Sequence, residues 1–584
     1  MTNSHNIARR LHETAERFPH QRAVVCPAGR DASGRLAYSH LTFQQLDRES
    51  DCLAAGLRSI GVVPFTRLVL MVRFGIEFVS LVFAAFKVGA VVVLIDPGMG
   101  LSQVLTCLQE VQPEGFLAIS PVHAVRLWNR RRFRQARYNL TVGRRWFWGG
   151  PTYRSLANAV WQPFEATAMR ETDPAAVIFT SGSTGPAKGV IYEHGMFNAQ
   201  VDLIRDRYAI EPGGVDLSGF PLFGLFNAAM GTTTVIPPMN PSKPAKANPS
   251  RIVEVIQDQI VTQSFGSPAL WDRVTRHCDE RQIRLPSLRR VFSAGAPVSV
   301  RVLERLQRTF ASCPSAPGAP DSGAPAAAAE IHTPYGATEA LPVSTISARE
   351  VIEQTAERTR TGAGTCVGQP YPRVRIKIIE ITDAPIPTIS TAHELPAGQI
   401  GEIIVQGPSV TRHYLRRPDA DAASKIAEPP EASDPDAAAP FWHRMGDVGY
   451  LDDQGRLWYC GRKSHIVTTP KGSLFTEPCE AIFNEHPRVF RSALVGVGRR
   501  GEQTPVIIVE PLKGQFPLLS ADRQKFSAQL RDLAAANPLT LDVHTVLFHR
   551  SLPVDVRHNS KINRERLALW AANALHGPVG VGSA

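Results

Sequence analysis

Apolar residues along this chain fall into two periods, and the two alternate. Asn6 to Phe18 sets Ile7, Leu11, Ala15 and Phe18 at helical spacing, which predicts an amphipathic helix. Leu41 to Leu57 predicts a second, with Leu46, Ala54 and Leu57 turned inward. Leu68–Val72, Phe78–Val88 and Val91–Ile95 then read as strand, helix and strand, a β-α-β unit. The alternation runs to about residue 310 and argues an α/β region with largely parallel sheets. From Glu394 onward the pattern changes, and Gly401–Gln406 and Leu457–Cys460 predict strands of a smaller β-rich subdomain. After Gly461 come short strands (Ala493–Val497, Val506–Val509, Val543–Phe548) and helices (Ala521–Ala535, Arg564–Leu575), a compact terminal α+β unit. The expected organisation is a large α/β domain over 1–461, carrying the β-rich subdomain, and a small α+β domain over 462–584. Ser312–Ala329 and Glu428–Pro440 are poor in large apolar residues and are expected as solvent-exposed insertions.

Composition fits this division. A chain of 584 residues exceeds one ordinary core, and 43% hydrophobic with 20% charged residues describes a soluble globular protein. The most apolar stretch, Phe78 to Ile95, is broken by Lys87 and Gly89 and ends at Asp96-Pro97, so it reads as helix plus strand rather than a membrane span. Arg9 and Arg10 have no apolar core behind them, so no signal peptide is expected. Eight cysteines lie between Cys26 and Cys479 without a CxxC pair, which suits reduced, buried thiols and a cytoplasmic location.

The net charge is +11, from 64 Lys+Arg against 53 Asp+Glu. Part of the excess sits in Arg126–Arg145, where Arg130, Arg131, Arg132, Arg134 and Arg137 stand among Trp128, Phe133 and Tyr138. Such a run suits an anionic membrane surface, an acidic partner or nucleic acid. The blander reading, a solvated helix and hairpin, is the one expected here. With no helix-turn-helix, zinc-finger or RNA-binding signature, a nucleic-acid role is set aside.

The chemistry centres on Thr180–Gly189, TSGSTGPAKG, between the apolar runs Ala175–Phe179 and Val190–Tyr192. Gly182 and Gly185 let backbone N–H groups converge on an anion. Ser181, Ser183 and Thr184 add hydroxyls, and Lys188 adds a compact positive charge. A Walker A loop needs Ser or Thr directly after its lysine, and Gly189 stands there. The loop reads as a nucleotide-phosphate cradle of another kind.

Five further stretches accompany it: Ser293-Ala294-Gly295-Ala296-Pro297; Tyr335-Gly336-Ala337-Thr338-Glu339; Met445-Gly446-Asp447; Gly461-Arg462-Lys463-Ser464; and Leu552-Pro553 followed by Ser560-Lys561-Ile562. In order and separation they resemble the signatures of the adenylate-forming superfamily, which includes acyl-CoA synthetases, peptide-synthetase adenylation domains and firefly luciferase. The resemblance implies ATP and Mg²⁺, and a small C-terminal domain that pivots as a lid near Ser464, where relatives carry aspartate. It implies Thr180 to Gly185, Lys188 and Thr338 on the phosphates, Gly295, Ala296, Pro297, Tyr335 and Gly336 around adenine, and Glu339 on Mg²⁺. Asp447 would take the ribose hydroxyls, Arg462 the ribose or phosphate, and Lys561 the substrate carboxylate and α-phosphate. Lys561, Lys188, Thr338 and Glu339 are the expected catalytic set.

Within the superfamily the chain resembles the olefin-pathway β-lactone synthetases, through YGATEALPV, Gly362–Pro370, His443–Lys463 and Leu552–Ile562, and it shares their departures from the common pattern. The implied substrate is a long-chain 2-alkyl-3-hydroxyalkanoic acid. Its 3-hydroxyl would close a four-membered lactone and expel AMP, between a reductase and a decarboxylase of the same pathway. Phe220–Met230 and Phe265–Leu270 are expected to line the alkyl cavity. Gly224, where many relatives carry histidine or an aromatic, is expected to widen it. His194 and His332 are candidate bases for the hydroxyl, with a structural role as the plainer reading. Rival readings are a long-chain acyl-CoA synthetase, separated by a CoA requirement, or a fatty acyl-AMP ligase, and a non-catalytic scaffold, disfavoured by intact Lys188, Glu339, Asp447 and Lys561.

Overall fold

Two long β-sheets wrapped by helices form most of the molecule. The structure, a computed structural model, describes residues 4–180, 187–310, 329–429, 439–554 and 561–576. The opening helix Ala8–Arg17 buries Leu11 and Ala15, as its spacing predicts. The second helix begins later than its apolar pattern, at Phe43, because Thr42 accepts from Gln45 N–H while Gln45 reaches back to Thr42. This capping box fixes the start, and Leu41 stays in the preceding strand. The apolar helix Ile76–Lys87 is buried from Phe78 to its end. Its Lys87 is compensated in the core by Asp47 at 2.6 Å and Asp51 at 2.5 Å.

The six-stranded sheet runs in the spatial order Tyr138–Val142, Gly115–Ile119, Arg67–Met71, Val91–Leu94, Pro174–Phe179 and Gly189–Glu193. Its strands are parallel except the last, which returns antiparallel. Here the expected hairpin of the basic segment is corrected. Tyr138–Val142 does not pair back on its own neighbourhood; it lies parallel to Gly115–Ile119 after the helix Ser120–Trp128. A parallel edge strand and a hairpin arm show the same short alternating pattern, so sequence could not separate them.

The expected β-rich strands are present but do not stand apart. Gly401–Gln406, Phe441–Leu451 and Leu457–Arg462 continue through Thr365–Pro370 into the strands Ala340–Ser347 and Glu330–Ala337 of the other large sheet. Beyond Arg462, Val489–Val497, Thr504–Pro511 and Thr545–Phe548 form a separate three-stranded sheet packed by the helix Ser520–Ala535. The expected insertions at Ser312–Ala329 and Glu428–Pro440 fall largely outside the described residues.

Candidate active site

Two hairpins and one strand pair build the site. In the first hairpin Pro174–Phe179 turns back as Gly189–Glu193, with Phe179 opposite Gly189. The Thr180 N–H donates to the Lys188 carbonyl at 3.0 Å, and the Lys188 N–H donates to Thr180 Oγ1 at 3.2 Å. Those bonds close the neck of the phosphate loop. Ser181, Gly182, Ser183, Thr184 and Gly185 lie outside the described residues. A loop returning as a strand, rather than opening a helix, separates this cradle from a Walker loop in fold as well as sequence.

The second hairpin pairs Glu330–Ala337 with Ala340–Ser347, Ala337 opposite Ala340. Thr338 and Glu339 are therefore its two-residue tip. Gly336 is demanded by space: a Cβ there would sit 2.6 Å from the Ala340 carbonyl oxygen. Strand Arg290–Ser293 runs parallel alongside, with Phe292 beside His332. Two residues beyond that strand Gly295 turns the chain, with φ +98°.

Residues 410–415 stitch the hairpins together. Ala340 bridges Val410, Val190 bridges Tyr414, the Thr411 N–H donates to Glu339 O at 2.9 Å and the Leu415 N–H to Gly189 O at 2.7 Å. Three side chains that the motifs do not mark tighten this seam. Tyr192 donates to the Thr338 carbonyl at 2.5 Å, and Tyr414 donates to Glu339 Oε1 at 2.9 Å. Lys188 Nζ lies 5.0 Å and Lys425 Nζ 5.6 Å from the centre of the Tyr414 ring, within cation–π range. Lys425 also donates to the Thr411 carbonyl and sits 3.1 Å from His443 Nδ1. Burial pulls the Lys425 ammonium down to about 7. Burial, with Lys425 beside it, holds His443 well below the ordinary imidazole range. A Tyr-Leu pair before Pro418 is the only sequence signal for Tyr414, and Lys425 has none.

The third component is a cross-strand pair. Asp447 on Phe441–Leu451 stands opposite Arg462 on Leu457–Arg462, and the guanidinium lies 3.1 Å from Asp447 Oδ1. Tyr335 donates to Asp447 Oδ2 at 2.6 Å. The expected adenine and ribose residues are thus in direct contact. Burial raises the Asp447 carboxyl; Arg462, the Tyr335 hydroxyl and the charge of Lys561 oppose that rise. Oδ1 is buried and has the ion pair but no well-aligned hydrogen bond among the described residues. Lys561 comes from the far end of the chain. Its segment closes where Val554 bridges Ile562 and the Asn563 N–H donates to Pro553 O at 2.8 Å.

The two segments expected to line the alkyl cavity meet. Phe223 stacks on Phe265 at 3.7 Å between centroids, with Phe220 at 6.4 Å. Gly224 does not widen it: a Cβ would meet Phe74 Cζ at 3.0 Å and Thr234 Cγ2 at 3.2 Å, so Phe74 occupies that space. Beneath the helix Pro221–Met230, buried Asp216 accepts from Ser218 Oγ and from Asn227 Nδ2 at 2.8 Å, and burial raises its carboxyl to about 6. The candidate bases have structural surroundings. His194 Nδ1 accepts from the Ile7 N–H at 3.3 Å, its ring packs on Phe86, and burial lowers it to about 4. His332 packs against Tyr208 and Phe292, three residues from Tyr335 and so on the opposite face of their strand.

Glu339 is a lone carboxylate, and no cluster of three or more His, Cys, Asp or Glu side chains that could hold a metal gathers among the described residues. That donor set fits a hard cation completing its shell with phosphate oxygens and water, as Mg²⁺ does.

The two hairpins and the seam over 410–415 thus bring Lys188, Tyr335, Glu339, Asp447 and Arg462 of the motifs into one region. Residues 11–415 match the model of the AMP-binding enzyme family, and the chain belongs to that family. It is an AMP-forming ligase that uses ATP. It is 45% identical over 574 residues to the olefin beta-lactone synthetase of Stenotrophomonas maltophilia strain K279a, covering 98% of each chain. To the olefin beta-lactone synthetase of Xanthomonas campestris pv. campestris it is 44% identical over 580 residues, again covering 98% of both. The structure of amide bond synthetase McbA from Marinactinospora thermotolerans shares the fold, with a TM-score of 0.74 at 20% identity over 97% of this chain and 99% of that one.

Proposed function

We propose that the protein adenylates a long-chain 2-alkyl-3-hydroxyalkanoic acid and closes it to a β-lactone. The observation that carries this reading is the near-full-length similarity to two olefin beta-lactone synthetases. In the first step a carboxylate oxygen attacks the α-phosphorus of ATP and diphosphate leaves. Lys188 and Thr338, with Thr180, Ser181, Gly182, Ser183, Thr184 and Gly185, hold the phosphates. Tyr335, Gly295, Ala296 and Pro297 flank the base, and Asp447 takes the ribose hydroxyls with Arg462 beside it. Glu339 would hold Mg²⁺, which would supply charge neutralisation at the phosphates. Lys561 bridges the carboxylate and the α-phosphate, where its charge is best matched to the transition state. Fixing the two reactants in line supplies much of the remaining acceleration, about 7–11 kcal/mol for well-aligned groups.

In the second step the 3-hydroxyl oxygen bonds to the acyl carbon, the bond from that carbon to the phosphate oxygen breaks, and the hydroxyl loses its proton. AMP leaves with the lactone. The nucleophile arrives with the substrate, so the site needs only an apolar wall and exclusion of water. Residues 462–584 act as a lid over the rest, carrying Lys561 in and out. A reductase supplying the hydroxy acid and a decarboxylase consuming the lactone are the partners this chemistry calls for, and the cytoplasm suits all three.

Purified protein given a synthetic 2-alkyl-3-hydroxy acid, ATP and Mg²⁺ should release lactone and AMP without CoA. Product seen only with CoA present, as a thioester, would overturn the lactone reading in favour of an acyl-CoA synthetase.

A further inference from the structure

The positive charge of this protein is concentrated in one place. Residues 115–164 contain nine arginines and no Lys, Asp or Glu, a formal +9 within a chain whose net charge is +11. Eight of the nine are exposed, and among the described residues none forms an ion pair. Elsewhere the surface arginines are commonly matched, as Arg30 is by Glu254 and Arg488 by Asp522. An unmatched run of this size is a field directed at an external anion.

The fold adds large aromatics to that field. Trp128 is 91% exposed, Phe147 82% and Trp146 50%. Two of them share a patch. Trp146 and Phe147 lie 5.5 and 5.2 Å from Trp148, and Trp148 packs 5.6 Å from His123 in the helix Ser120–Trp128. Ser120 Oγ donates to the Arg144 carbonyl, tying the two segments again. Trp128 ends that helix, just ahead of the exposed Arg130, Arg131 and Arg132. The patch flanks Tyr138–Val142, the edge strand of the six-stranded sheet.

We infer that this face docks the protein peripherally on an anionic lipid bilayer, with Trp128, Trp146 and Phe147 seated at headgroup level and the arginines on lipid phosphates. Charge complementarity calls for an anionic surface, and exposed tryptophan beside arginine is the composition that water–lipid interfaces favour. The inference also gives the proposed substrate a source, since an acid with two long alkyl chains partitions into membrane; to that extent it rests on the lactone reading. No described helix is long and apolar enough to cross a bilayer, so contact is at the surface.

Full-length protein should co-sediment with phosphatidylglycerol-containing vesicles and not with pure phosphatidylcholine, and should be released in about 0.5 M salt. Replacing Arg130, Arg131 and Arg132 together by serine should weaken vesicle binding on the order of tenfold or more. Trp128→Ser with Phe147→Ser should weaken it while thermal stability and turnover of a short, water-soluble hydroxy acid stay unchanged. Indifference to anionic vesicles would overturn the inference. So would vesicle binding that the aromatic substitutions leave untouched while polyglutamate or nucleic acid is bound as tightly, which would assign the face to an acidic macromolecule. The sedimentation needs neither ATP nor acid, so its failure and failure of the lactone reading are told apart.

Discussion

Tyr414 holds the site's two charges of opposite sign at once: its hydroxyl bonds the Glu339 carboxylate and its ring lies under the Lys188 ammonium. Tyr414→Phe keeps the ring and loses one hydrogen bond to a charged group, worth about 1.5–3 kcal/mol. The expected outcome is an apparent Mg²⁺ requirement raised on the order of tenfold, with ATP binding little changed, read by metal titration of diphosphate release; an unchanged titration would reject the positioning role. Lys561→Ala should suppress adenylation by on the order of 100-fold or more while leaving the thermal transition in place. Undiminished turnover would rule it out. At this scale the motif residues stood out because phosphate, ribose and metal would each call for a particular side chain, and the structure brings Tyr335, Asp447 and Arg462 of those motifs into contact. Tyr192, Tyr414 and Lys425 did not stand out, since what qualifies them is a neighbour more than a hundred residues away or a position within a seam between strands.

Among the elements, the helix Pro221–Met230 joins the expected substrate wall to the core. Asp216 beneath it accepts hydrogen bonds yet has no cation, and burial raises its carboxyl from 3.8 to about 6. Between those two values the folded chain keeps a proton that the unfolded chain has released, so stability falls as pH rises through that window and stays low above it. Asp216→Asn should therefore raise Tm at about pH 7.5, by the equivalent of about 1–3 kcal/mol, with the difference vanishing near about pH 4. A gain that is the same at both would dismiss the titration. Gly224→His, restoring the side chain common among relatives, has to displace Phe74, and overpacking of this kind costs about 1–3 kcal/mol. A lowered Tm together with a preference for shorter acids is the expected result; an unaltered Tm would mean that Phe74 yields freely. A strongly periodic helix such as Ala8–Arg17 was readable from spacing alone. The strand Tyr138–Val142 was misread, because parallel pairing with Gly115–Ile119 leaves no trace in its own alternation.

The whole molecule brings together what the chain keeps far apart. Lys561 acts on Asp447, and Arg564 closes the last helix onto buried Glu480, 2.8 Å from each carboxylate oxygen. Arg564→Ala leaves Glu480 uncompensated, a loss of about 3–5 kcal/mol. If residues 462–584 are a separate lid, calorimetry should show one transition lowered and the other unmoved, with AMP still bound; a single transition moving as a whole would argue against that division.

By itself the sequence determined the family and the order of its motifs: the Gly/Ser/Thr loop before Lys188, the Thr338-Glu339 pair, Asp447 and the late Lys561 are local patterns, each of a residue type that a particular ligand group would require. It determined too which segments were helix and which strand wherever burial was one-sided. Only the tertiary structure decided that Tyr335 bonds Asp447, that residues 410–415 sew the two hairpins together, and that Trp146 and Phe147 gather, exposed, about Trp148. Those contacts depend on strand order and register, which arise from packing over the entire chain and are written in no single stretch of it.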